Sequence, residues 1–150
     1  MFTDYTESKL LRHFLATILY RAEKAIKGVP DNYPNLQIGK DVRSPIEILS
    51  HISHVLTCAH SVFEHYDSLI PPSIGSWEEE ASRFYEIVEK LDKSLFKGLP
   101  NRKRIAEKLL QGPLSDAMTH VGQLSLLKRM ADQPIPAESF FDADIKLIDR

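Results

Sequence analysis

Only one cysteine, Cys58, occurs among the 150 residues, so no disulfide can form within the chain. No uninterrupted apolar run approaches the ~20 residues that a membrane-spanning helix needs, which argues against a membrane span. A surplus of one charge is lacking too, since 19 lysines and arginines face 21 aspartates and glutamates for a net charge of -2. Basic residues are scattered apart from Asn101-Arg102-Lys103-Arg104, and that leaves no electrostatic footprint for nucleic acid. The short basic run reads as a solvated helix face, with an anionic substrate group as its alternative partner. The start, Met1-Phe2-Thr3-Asp4, has neither the basic stretch nor the apolar core of a leader, and repeats and low-complexity tracts are missing. A cytoplasmic protein is the simplest expectation.

What is present is apolar periodicity. Hydrophobic residues make up 43% of the chain, enough for one core, so residues 1–150 are expected to form a single domain. Asp4 and Glu7 have capping-box spacing, and Leu11, Leu15, Ile18, Ala22 and Ala25 predict a first helix over residues 5–27. Residues 28–43 have no sustained period and exceed the usual loop length, which suggests a crossover or a lid over a site. Ser44-Pro45-Ile46-Glu47 supplies an N-cap, a proline at the first helical position and the reciprocal glutamate. The apolar seam from Ile48 through Ile52, Val55, Ala59, Val62 and Tyr66 carries that second helix on to Leu69, where Pro71-Pro72 stops it. His51 sits at the edge of its buried face, His54 further out, and His60 points away from the seam into solvent.

Ser76-Trp77-Glu78-Glu79 opens a third helix whose seam runs through Phe84, Val88, Leu91 and Leu95 to Gly98 and Pro100. A short basic helix over residues 102–110 is broken by Gly112-Pro113, and a fourth long helix covers residues 114–131. The tail, residues 132–150, is expected to wrap over the body as mostly irregular chain. Four long helices without strand-like alternation make an all-α four-helix bundle, with a short extra helix before the last.

On the fourth helix Asp116, His120, Gln123 and Leu127 fall in one narrow stripe, continued by Ala117, Leu124 and Ala131. A carboxylate and an imidazole on an apolar face cost several kcal/mol to bury unpaired, and a divalent cation satisfies both together. The bland reading makes Asp116 a first-turn acid stabilised by the helix N-terminus near Pro113, or a hydrogen-bonding partner of His120 or His51. Gln123 reads as a hydrogen-bonding group behind the ligands rather than a ligand. Cys58 stands near His51 in helical projection, although an inert buried thiol is the better reading. His13 and His65 have no partner at ligand spacing.

The ordered set Ile48-Leu49-Ser50-His51-Ile52, Gly112-Pro113-Leu114 and His120-Val121-Gly122-Gln123-Leu124, followed by a tail with Glu138-Ser139-Phe140-Phe141, resembles the DinB-like superfamily across most of the chain. The resemblance implies an up-up-down-down four-helix bundle, a homodimer, and a divalent metal, zinc or nickel, held by three histidines. It further implies a metal-dependent hydrolase or a transferase that uses a low-molecular-weight thiol, with the substrate undefined. By position His51 matches the first histidine and His120 the last, while Asp116 stands where the second would be. Two imidazoles and a carboxylate leave open positions and also suit iron or manganese; the same departure is what a decayed site would leave. His54 is the candidate for an additional ligand, and no residue is assigned to proton transfer. The alternative is a metal-free dimeric bundle that acts by binding or in a stress response, with Asp116 and His120 as an internal pair.

Overall fold

In a computed structural model, residues 6–150 are described, and these contain helices but no strand. The helices are α1 (Glu7–Ile26), α2 (Pro45–His60), α3 (Trp77–Lys97), α4 (Ile105–Leu109) and α5 (Ser115–Met130), with a π-helical turn, Leu110–Leu114, between the last two. The expected Asp4 cap lies outside the described residues; the cap observed is Thr6, whose hydroxyl accepts from the Lys9 amide. Both later capping boxes form as their spacing predicts, with Glu47 on the Ser44 amide at 2.9 Å and Glu79 on the Ser76 amide at 2.7 Å. Each ties down amides that a helix start otherwise leaves without partners.

Two boundaries differ from expectation. α2 stops at His60 instead of continuing to Leu69; a turn follows, in which the Ser61 hydroxyl donates to the Cys58 carbonyl at 2.6 Å. Leu69 is consequently exposed, and the buried stripe of α2 runs through Leu49, Ile52 and Leu56. Gly112-Pro113 does not break the chain into two helices. It widens one turn: Pro113 has no N–H to offer, and two residues on, Ser115 donates both its amide and its hydroxyl, the latter at 2.6 Å, to the Leu110 carbonyl five residues back. Leu114 already has helical dihedrals, φ -70° and ψ -42°, so α5 has no free N-terminus to stabilise Asp116.

Helix directions follow from the hydrogen bonds between ends. The Trp77 indole donates to the Ile26 carbonyl at 3.2 Å and the Ser8 hydroxyl to the Leu95 carbonyl, which makes α1 and α3 antiparallel. Lys128, late in α5, donates to the carbonyl of Lys24, late in α1, at 2.8 Å, so these two run the same way. His60 at the end of α2 meets Ser94 near the end of α3, so these run together in the opposite sense. The order is therefore up-down-down-up, not the up-up-down-down arrangement expected. Its cause is the early end of α2, which frees residues 61–76 to return along the bundle before α3 begins.

α1 and α2 each pack on both α3 and α5. The core at their centre includes Leu15, Ile18, Ile52, Leu56, Phe84, Leu91, Leu95, Leu114 and Leu124. The seam of α3 thus lies inside the bundle and offers no dimer surface, whereas Phe141 in the tail is almost fully exposed. The connection between α1 and α2 is pinned by Tyr33, wholly buried, whose hydroxyl donates to the Leu124 carbonyl at 2.8 Å and whose burial raises its pKa. The tail beyond α5 is irregular and lies against α1 and α3. There Glu138 reaches Lys24 at 2.7 Å, and Arg150 and Arg12 share the buried carboxylate of Asp92. No helix among the described residues is long and apolar enough to cross a membrane.

Candidate metal centre

α2 and α5 pack side by side, and their facing sides bring together three side chains from the sequence reading. His51 comes from the edge of the buried face of α2; Asp116 and His120 come from one face of α5, four residues and so about one turn apart. Asp116 Oδ2 lies 3.7 Å from His51 Nε2, and Asp116 Oδ1 lies 3.2 Å from His120 Nε2. The two imidazoles meet edge to face, with ring centroids 4.6 Å apart and planes at 89°. Each residue offers one ligand atom, and these atoms all lie within 4.8 Å of one another.

That spacing suits a shared ion. Donors bonded to one tetrahedral ion at about 2.0–2.2 Å lie about 3.3–3.6 Å apart. The carboxylate-to-imidazole distances, 3.7 Å from Oδ2 and 3.2 Å from Oδ1, lie just outside either end of that range and run to different oxygens, so small side-chain rotations would be needed to close the three groups on one ion. Proton placement strengthens the fit. Gln123 Oε1 lies 2.7 Å from His120 Nδ1, and an amide oxygen can only accept, so Nδ1 carries the hydrogen. In the neutral ring, Nε2 then presents a lone pair to a carboxylate oxygen. Two acceptors at that distance repel unless a cation lies between them or the ring is protonated.

The cluster is graded in exposure. His120 is 12% exposed, His51 27% and Asp116 46%, so the imidazoles back onto the core while the carboxylate reaches the rim. Asp116 is therefore less buried than its place in the apolar stripe predicts. Partial burial lowers the pKa of His51, and the charges of Arg43 and His120 act in the same direction against Asp116. The neutral, ligating form of that imidazole is the one the surroundings favour.

His54 does not join the cluster. Its Nε2 lies 3.8 Å from Cys58 Sγ, and it lines a separate groove between α2 and α3. Cys58 is thus beside His54 rather than His51, and burial raises its pKa, which keeps the thiol protonated. His65 is exposed beside Asp67, and His13 is half-buried.

His60, expected in solvent, is 2% exposed. Its Nδ1 meets the Tyr66 hydroxyl at 2.7 Å and its Nε2 the Ser94 hydroxyl at 3.0 Å. The end of α2 directly after it explains the correction, because the chain turns back and lays Tyr66 over the ring.

Beside the cluster of His51, Asp116 and His120 opens a cleft of about 460 Å³ between α5 and the connection that precedes α2. His120 and Gln123 form part of its wall, with Asp41 and Arg43 on the side of the connection. Spacing along α5 pointed to His120 and Gln123, while nothing periodic in the connection marked Arg43. Compared with family models, curated proteins and solved structures, the chain matches none of them, so the DinB-like resemblance rests on its own residues.

Proposed function

We propose that the protein is a DinB-like divalent-metal-binding protein whose His51, Asp116 and His120 hold one ion, zinc or nickel first, iron or manganese next. The observation that carries the reading is the convergence of two imidazole nitrogens and a carboxylate from two helices within 4.8 Å. The helix order differs from the one the resemblance implied and Asp116 stands in place of the second histidine, so it is the positions of His51 and His120, not the topology, that support the family reading.

We further propose a metal-dependent hydrolase or a transferase that takes a low-molecular-weight thiol as co-substrate. A divalent ion in this place supplies Lewis acidity and makes a thiol or water a stronger acid. The remaining work falls to the chain itself. Gln123 fixes the ring of His120 so that Nε2 faces the site, and Asp116, at the rim, leaves one side of the cluster open to a ligand. The apolar residues behind the imidazoles limit water on the other side, since Leu124 and Ala117 are fully buried.

Elemental analysis of protein purified without a metal column tests this directly. One equivalent of metal is expected, and none in His120→Ala; a wild type without stoichiometric metal removes the catalytic reading. The second reading, a metal-free bundle that acts by binding, is favoured by the 3.2 Å contact between Asp116 and His120 taken alone. Presence of His51 on the same carboxylate is what places it second.

A further inference from the structure

The cleft beside the metal cluster is unusual in what it leaves exposed. Ile38, Val42 and Leu126 are 40%, 42% and 57% exposed, and all three line it, over a floor made by the buried Ile48 and Leu127. Large apolar side chains gathered in water around one concavity mark a place where another apolar body belongs. Its volume of about 460 Å³ is that of a small-molecule site.

Two charged groups stand on the same wall. Arg43 lines the cleft and makes no hydrogen bond or ion pair with another described residue, so its guanidinium is uncommitted. It lies close enough to His51 for its charge to bear on that imidazole. A guanidinium presents a planar fork of donors that matches a carboxylate. Asp41 also faces the cleft and disfavours a ligand carrying further negative charge.

We infer that the cleft takes a small monoanionic carboxylate with a short apolar body. Arg43 holds the carboxylate, and Ile38, Val42 and Leu126 close over the apolar part beside His120. As a statement about substrate, this rests on the metal reading of the neighbouring cluster; as a statement about binding, it stands on the cleft alone. Arg43 is a specificity-determining residue here, acting through charge and hydrogen bonding.

Calorimetric titration with hexanoate, hexanol and acetate, on protein freed of metal by chelation and on zinc-loaded protein, tests it. Hexanoate is expected to bind metal-free wild type saturably and at least fivefold more tightly than hexanol, which lacks the charge, or acetate, which lacks the apolar body. Arg43→Gln should weaken hexanoate about fivefold, leave hexanol unchanged and leave zinc stoichiometry unchanged. Leu126→Glu should weaken hexanoate and hexanol alike. Hexanoate affinity unchanged in Arg43→Gln, or binding that requires zinc, overturns the proposal. Zinc failing to bind while hexanoate binding still depends on Arg43 supports the carboxylate cleft and removes only the metal reading.

Discussion

His60 and His51 stand on the same helix, α2, and differ in what their nitrogens face. Both nitrogens of His60 meet hydroxyls, at 2.7 and 3.0 Å, and a hydroxyl can donate or accept, so the neutral ring is satisfied in either tautomer. His51 Nε2 faces a carboxylate that His120 Nε2 already faces, and of the three side chains His120 also lines a cleft. The more buried histidine is the one whose nitrogens are both matched. Burial alone therefore does not single out a candidate ligand; unmatched donors and acceptors that converge at a reachable place do.

Substitutions can break this contrast. The largest expected effect is on metal binding: His120→Ala should weaken zinc affinity by about three orders of magnitude, roughly 4 kcal/mol, while the thermal midpoint of the metal-free protein shifts little. Equal zinc affinity in the variant would place the ion elsewhere. His60→Ala should do the reverse. It leaves the Ser94 and Tyr66 hydroxyls without their partner and opens a cavity, for a loss of about 2–4 kcal/mol in urea unfolding, with zinc stoichiometry unchanged.

Gln123→Ala sharpens the comparison, because it removes only the group that orients His120. Zinc affinity should fall about 10- to 100-fold, a smaller loss than that of the ligand itself. A value equal to wild type would mean that the 2.7 Å contact does not set the ring.

The smallest effect is on pH dependence. Burial lowers the pKa of His60, with Glu64 opposing it at 3.8 Å. Below about pH 6.5 the unfolded chain then binds a proton that the folded one refuses, so this contribution to stability is complete above that pH and lost as pH falls toward the lowered folded value. Unfolding free energies measured between about pH 5 and 8 should therefore rise with pH, and more shallowly in His60→Gln. An identical slope in the variant would assign the effect to other groups, of which His51 is one, its pKa being lowered as well.

Local chemistry made much of the fold legible. Ser44-Pro45-Ile46-Glu47 and Ser76-Trp77-Glu78-Glu79 named two helix starts because a capping box is a contact within four residues. The end of α2 was hidden, since neither glycine nor proline marks Ser61 and the apolar spacing continues past it. Gly112-Pro113 read as a stop because a missing N–H usually is one; a side-chain hydroxyl three residues from the glycine, on Ser115, let the helix continue through a wider turn. Helix directions depend on how far connections reach, and that depended on the hidden end of α2. In the site, Asp116 and His120 were legible from their spacing on one helix. That His51 meets them is a fact of packing between α2 and α5, which periodicity along a single helix cannot express.

The most direct measurement is an anomalous-difference map from crystals grown with zinc and recorded on both sides of its absorption edge. One peak is expected between α2 and α5, at about 2.0–2.2 Å from His51 Nε2, His120 Nε2 and an oxygen of Asp116. A map without a peak there under saturating zinc, or with His51 turned away from the carboxylate, would contradict the assignment of these three residues to one ion.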